Sequence, residues 1–194
     1  MKSTRKAVVF AAVLMLSAGT AAAQRPETEA SWRTTVYTGV SRGTLDRQDD
    51  YEAVPLALRF STDADRVTRP LGFALPGDWE VAFEPYFSQV IGPDNRQEFG
   101  LSLWLRWSTA VLHPRLNWFL EGGVAPMYMT TDTREQGTQF NFLDQLGTGL
   151  AYDAPNGLRF ETGARVWHIS NAGLGDPNSG INGGAVFVGA GRRF

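Results

Sequence analysis

The stretch WEVAFEPYFSQV, residues 79–90, decides the fold. Successive side chains of a β-strand point to opposite faces of the sheet, so a pattern with a period of two residues predicts a strand between two different environments. The apolar face comprises Trp79, Val81, Phe83, Pro85 and Phe87, and the opposite face comprises Glu80, Ala82, Glu84, Tyr86 and Ser88.

The same alternation recurs in segments on both sides of this stretch. The further candidate strands are residues 32–45, 51–61, 98–107, 116–128, 139–152, 157–170 and 181–194. Segments of about ten residues that alternate apolar with polar residues and have aromatic residues near their ends are typical of outer-membrane barrels. The sequence therefore predicts an all-β fold, an eight-stranded antiparallel transmembrane β-barrel of the bacterial outer membrane.

The charged residues on the second face favour a barrel with lipid outside over its alternative, a soluble sandwich or lipocalin-like barrel with the apolar face inside. Five arginines and four glutamates are expected to neutralise one another in a narrow lumen, whereas a soluble barrel would simply solvate them. Eight strands enclose a space that side chains fill, so no open pore is expected. The nine residues are Arg33, Arg59, Glu80, Glu84, Arg106, Glu121, Arg159, Glu161 and Arg165.

Composition excludes several functional classes. The 194 residues include no cysteine, which rules out a disulfide framework, a thiolate zinc site and a cysteine nucleophile. The chain has only two histidines, which argues against a multi-histidine metal site. Its formal net charge of −2 gives no electrostatic attraction for nucleic acid. We expect no metal, no cofactor and no nucleic-acid partner.

The first residues form a targeting segment. Basic residues precede the apolar run 7–16, and three alanines precede Gln24, as in a cleaved secretory signal. We therefore predict a signal peptide over residues 1–23 and a barrel over residues 24–194. An uncleaved N-terminal anchor helix is the alternative, but the apolar run is short for a bilayer span.

With both chain termini in the periplasm, the strand order predicts which connections face outward. The external loops are expected at 46–50, 91–97, 129–138 and 171–180, and the periplasmic turns at 62–78, 108–115 and 153–156. The connection 62–78 is longer than a periplasmic turn usually is.

His168 and Ser170 are the candidate catalytic residues. They lie two residues apart, so they share a face of their strand, and their parity is that of the lipid-facing residues. A return across loop 171–180 is expected to set Asn182 near Ser170 and diagonally near His168. Asp144 has the same outward parity, but the turn 153–156 is expected to place it near residues 165–166. A serine beside a histidine can act as a nucleophile; the alternative is two polar residues where a strand leaves the membrane.

Residues 168–182 resemble the outer-membrane lipid A 3-O-deacylases, through HISNAG at 168–173, Pro177-Asn178 and Gly180-Ile181. The resemblance implies hydrolysis of the ester at the 3 position of lipid A, with release of a 3-hydroxy fatty acid. It implies Ser170 as nucleophile and His168 as general base. It also implies Asn171, with the backbone amide of Gly173, in the oxyanion hole.

One position departs from the family pattern, because Asn182 stands where the family has a glutamate. An asparagine can orient the imidazole through its carbonyl but carries no charge. Lipopolysaccharide is the implied substrate, met from the outer leaflet, with Phe140 and Phe142 lining an acyl groove and Arg134 meeting a phosphate. A non-catalytic structural or adhesive barrel, and a soluble periplasmic lipid-binding barrel, are the competing functions.

Overall fold

Eight antiparallel strands close into a barrel in a computed structural model that describes residues 32–45, 50–92, 95–130 and 133–194. The predicted fold class is confirmed. The strands are β1 (Arg33–Thr44), β2 (Tyr51–Asp63), β3 (Asp78–Gly92), β4 (Arg96–Val111), β5 (His113–Met129), β6 (Phe140–Asp153), β7 (Leu158–Ser170) and β8 (Ile181–Arg193). The predicted signal peptide and most of loop 46–50 lie outside the described residues.

Each strand pairs with the next along the chain, and β1 pairs with β8 to close the sheet. At the seam the backbone N–H of Phe194 donates to the carbonyl of Trp32 at 2.9 Å, and the N–H of Trp32 donates to the carbonyl of Phe194 at 3.1 Å. Closure leaves no sheet edge with unpaired backbone groups, which is the condition for strands to lie in lipid. We call the end of the barrel with the chain termini the terminus end and the opposite end the loop end.

The predicted division into two faces is confirmed. The outward side chains form an apolar belt, in which Leu103 is 57% exposed and Val166 is 61% exposed. The inward side chains of the same strands, such as Ser102 and Trp167, are buried. In an ordinary soluble barrel this order is reversed, so the burial pattern alone excludes the lipocalin-like alternative.

The lumen contains an ion-pair network, as the charge pattern predicts. The carboxylate of Glu121 lies 2.7 Å from the guanidinium groups of Arg59 and Arg106 and 3.0 Å from that of Arg165. Aromatic rings pack between these charges; the guanidinium of Arg106 lies 4.0 Å from the centre of the Phe119 ring. Pairing offsets the cost of removing these charges from water.

Two predicted turns differ from the structure. In place of the turn 108–115, β4 and β5 are joined by Leu112 alone, which adopts a left-handed backbone with φ of 59°. The long connection 62–78 folds on itself as α1 (Asp65–Thr68) followed by a 3₁₀ helix (Arg69–Leu71). Asp65 fixes this segment, because its carboxylate pairs with Arg69 at 3.0 Å and accepts from the N–H of Leu75.

The helices in the described part of the chain are short, and none of them is long and apolar enough to cross a membrane.

Candidate functional site

The candidate site lies on the outer wall of the barrel, close to the loop end, where β6, β7 and β8 run side by side. The register pairs His168 with Asp144 on one side and with Asn182 on the other. All three side chains point outward, because they share the parity of exposed neighbours such as Phe142 and Val166. The wall therefore carries a polar row, Asp144–His168–Asn182, within the apolar belt.

Two expectations about this row were wrong. Asn182 lies directly opposite His168 and not opposite Ser170, and Asp144 lies opposite His168 and not near residues 165–166. The turn between β6 and β7 explains the second error. It occupies residues 154–157, one residue later along the chain than expected, and a shift of one residue in a turn moves the facing pairs of the two strands by two residues.

A hydrogen bond joins His168 to Asn182. The Nδ1 atom of the imidazole lies 2.9 Å from Oδ1 of Asn182. An amide oxygen only accepts, so Nδ1 carries the proton and Nε2 keeps its lone pair. The bond thus selects the tautomer in which Nε2 is able to accept a proton from a hydroxyl group.

Ser170 is the next outward residue on β7 after His168, and its opposite neighbour on β6 is Phe142. Its side chain is partly exposed, on the same face as the imidazole. Within the described ranges the Ser170 hydroxyl forms no hydrogen bond. A hydrogen bond between a nucleophilic hydroxyl group and its general base commonly tightens only when substrate is bound.

Gly180 makes room for the imidazole. It lies beside His168 with a left-handed backbone, φ of 76°, and a β-carbon at this position would come 2.6 Å from Cε1 of His168. No larger residue fits here without moving either the ring or the backbone. Gly180 is a site residue to which the sequence analysis gave no role, although it belongs to the stretch that resembles the deacylases.

The loop 171–180 is organised by Asn171, which is fully buried. Its side-chain amide donates to the carbonyls of Gly175 and Pro177, at 2.8 and 3.2 Å, and its Oδ1 accepts from the N–H of Gly173 at 2.9 Å. The donors that the resemblance assigned to an oxyanion hole, Asn171 and Gly173, are therefore occupied within the loop. In this structure their role is to shape it.

Asn178 is a polar residue of this loop that the sequence analysis did not assign. Its Oδ1 accepts from the backbone N–H of Asn171, the residue that follows Ser170, at 3.0 Å. This bond orients the amide, and it holds the Asn178 side chain beside the backbone of the candidate nucleophile. The only sequence signal was its place in the Pro177-Asn178 part of the resemblance.

A second loop braces the first. Gln136 bridges to Asn178, and its side-chain amide donates to the carbonyl of Ile169 at 3.3 Å. The N–H of Ser179 donates to the carbonyl of Glu135 at 2.9 Å. These bonds fix the loop around the site although both loops project beyond the strands.

The three predicted substrate contacts lie on two elements: Phe140 and Phe142 on β6, and Arg134 on the loop that precedes β6. Phe140 and Phe142 are exposed on the outer face of β6. Their rings meet edge to face, with 5.3 Å between the ring centres. Arg134 is exposed on the bracing loop. Below the polar row the wall is apolar, since Leu146 and Val166 are paired and exposed.

No group of three acidic, histidine or cysteine side chains that could hold a metal ion occurs among the described residues.

A closed barrel with an apolar outer belt and a histidine, a serine and an asparagine on its outer wall defines a membrane-embedded barrel with an esterase-like site. The family model described as lipid A 3-O-deacylase (PagL) matches residues 52–190. The chain belongs to the lipid A 3-O-deacylase family, and it is an ester hydrolase of the outer membrane.

Several solved structures resemble the barrel, and two of them illustrate the likeness. The crystal structure of the outer membrane enzyme PagL is 21% identical in sequence, covers 81% of this chain and 97% of its own, and superposes with a TM-score of 0.56. The crystal structure of Neisserial surface protein A is 10% identical, covers 86% of this chain and all of its own, with a TM-score of 0.61. At these identities the likeness concerns the fold. Among curated proteins, none matches the sequence.

Proposed function

We propose that Ser170, His168 and Asn182 form the catalytic site that removes the 3-O-linked acyl chain from lipid A. The observation that carries this proposal is the 2.9 Å bond between Asn182 and Nδ1 of His168, on the same outward face as Ser170. It leaves Nε2 as the base on the face where the hydroxyl lies. In this arrangement Ser170 attacks, His168 transfers the proton, and Asn182 orients the ring.

The first half of the reaction forms an acyl-enzyme. As Oγ of Ser170 attacks the ester carbonyl, its proton moves to Nε2 of His168 and a tetrahedral oxyanion develops. The carbonyl–oxygen bond to the sugar then breaks, and the imidazolium returns the proton to the 3-hydroxyl group that leaves. Asn178 is the proposed side-chain donor to the oxyanion, because its amide is already held beside the Asn171 backbone.

The second half releases the fatty acid. Water attacks the Ser170 ester while His168 accepts a proton from it, and the proton returns to Oγ as the acyl-enzyme breaks down. The products are a 3-hydroxy fatty acid and the deacylated lipid A. Neither half requires a metal or a cofactor.

The loop end is proposed to face the cell exterior, which places the site at the outer leaflet. Lipid A holds its acyl chains in the hydrocarbon and its sugars at the membrane surface. Its ester therefore lies at the same depth in the membrane as the polar row, close to the loop end of the barrel. Phe140 and Phe142 then contact the acyl chains, and Arg134 meets a phosphate. Residues 1–23 are proposed to be removed during export.

A covalent probe tests the nucleophile directly in the native protein. We expect an alkyl fluorophosphonate to label the detergent-solubilised barrel on Ser170, as identified by mass spectrometry of the peptide that contains it. Only an activated serine reacts with such a reagent at a useful rate. Heat-denatured protein is the control and should remain unlabelled. Labelling of a different residue, or lipid A hydrolysis that persists in fully labelled protein, would refute the assignment of Ser170.

Gly180→Ala should displace the imidazole. The added methyl group meets Cε1 of His168 and also strains a backbone with positive φ, so we expect hydrolysis to fall about 100-fold. The matched control is Gly157→Ala, which introduces the same strain at φ of 81° but meets no atom within 4 Å, at the opposite end of the barrel. Equal losses in both variants, measured as released 3-hydroxy fatty acid, would show that strain and not the ring position is responsible.

A further inference from the structure

Asp144 is a carboxylate on the membrane-facing wall that the mechanism above does not use. It lies in the middle of the polar row, directly opposite His168 on the neighbouring strand. The ion pairs of the described residues do not include it. A carboxylate in such a position is costly in lipid and is generally retained for a function.

The neighbours of Asp144 show what it can act on. Across the strands it lies between Val124 and His168, and along its own strand between Phe142 and Leu146, all on the outward face. Of these four residues, only His168 can carry a charge. Side chains directly opposite in an antiparallel pair have β-carbons about 4.5–5.5 Å apart, which is close enough for a strong charge–charge interaction in a medium of low dielectric constant.

His168 needs such a charge at one moment of the reaction. The imidazole becomes a cation while Ser170 attacks, and Asn182 orients the ring but offers only an amide dipole. The two flanks of the histidine therefore supply different things: the β8 side fixes the tautomer, and the β6 side carries the negative charge.

We propose that Asp144 is a positioning residue that stabilises the imidazolium form of His168 during ester hydrolysis, in place of a charged residue at position 182. This inference rests on the proposed function. It assigns to two side chains on opposite sides of His168 the two tasks that one acidic residue performs in a serine–histidine–acid triad.

The test is a cycle of four proteins: wild type, Asp144→Asn, Asn182→Glu and the double variant. Each is purified in detergent and assayed on lipopolysaccharide by the rate of 3-hydroxy fatty acid release. Asp144→Asn keeps the shape of the side chain and removes its charge. We expect kcat to fall roughly 10- to 100-fold while KM changes by less than about twofold, because the charge acts only in the transition state.

Restoring a carboxylate on the other flank should rescue the loss. We expect Asn182→Glu to raise kcat by about tenfold or more in the Asp144→Asn background but only slightly in the wild type, since one carboxylate suffices. Equal gains in the two backgrounds would overturn the proposal, as they would show that residue 144 does not act on His168. Heat-shifted electrophoretic mobility confirms that each variant is folded.

Two controls separate this inference from the function beneath it. Glu52→Gln removes another carboxylate with outward parity, which lies on β2, two strands from Asn182, and pairs with Arg42; it should leave kcat unchanged. An active wild type and an inactive Ser170→Ala protein, together with an Asp144→Asn protein as active as Glu52→Gln, would refute the role of Asp144 alone. An inactive wild type, or an active Ser170→Ala protein, would refute the proposed function and this inference with it.

Discussion

Replacing Ser170 with alanine should abolish deacylation. In the proposed mechanism Oγ of Ser170 is the atom that forms the acyl-enzyme, so we expect hydrolysis to fall by roughly 10⁴-fold or more, to the residual rate that binding and the oxyanion donors sustain. Mass spectrometry of lipid A from cells that express each protein measures the effect. The wild-type sample should lose one 3-hydroxyacyl chain, and the variant sample should retain it.

The barrel itself should be unaffected by this change. Ser170 is partly exposed on the outer wall and its hydroxyl forms no hydrogen bond with the described residues, so Ser170→Ala should fold and insert normally. Heat-shifted mobility of the outer-membrane fraction provides this control. A folded variant that still removes the acyl chain would require another nucleophile, and Ser179 on the adjoining loop would be the next serine to replace.

Replacing Glu121 with glutamine should produce the largest loss of stability. Its carboxylate is fully buried in the lumen and pairs with three arginines, so its neutralisation leaves those guanidinium groups without their shared counter-charge. Breaking a buried ion pair by removing one partner typically costs about 3–5 kcal/mol in the free energy of unfolding. Urea unfolding in lipid vesicles, followed by tryptophan fluorescence and by heat-shifted mobility, measures the difference.

The matched control is again Glu52→Gln. Glu52 pairs with Arg42, but both side chains are largely accessible, with 35% and 80% of their surfaces exposed. An exposed pair contributes little, so we expect the free energy of unfolding to stay within about 0.5 kcal/mol of that of the wild type. Similar stabilities for the two variants would contradict the view that the internal network holds the barrel together.

The sequence predicted the fold well because a strand in a membrane barrel has two very different neighbours. Lipid on one side and paired charges on the other leave an alternation that is visible without any partner strand, as residues 79–90 show. The charged lumen was predicted for the same reason. Turns were predicted less well. A single residue with positive φ, Leu112, joins β4 to β5 where a turn of eight residues was expected.

The site was predicted only in part, because its row depends on register. Parity along β7 placed His168 and Ser170 on one face, but parity does not say which residues of β6 and β8 stand opposite them. An offset of about two residues across each turn was enough to misplace Asn182 and Asp144. Gly180 contributes by having no β-carbon that would collide with the imidazole of His168. This contribution can be recognised only when the position of the imidazole is known.

The position of the polar row on the outside wall determines how lipid A would reach the proposed site. A reactive group that faces the surrounding lipid is reached by sideways diffusion within a single leaflet, in two dimensions, and needs no passage through an aqueous channel. Turnover should then follow the mole fraction of lipid A in the surrounding bilayer more closely than its amount in the bulk sample. Diluting lipid A with inert phospholipid would slow the enzyme even when the total quantities of enzyme and lipid A are held constant.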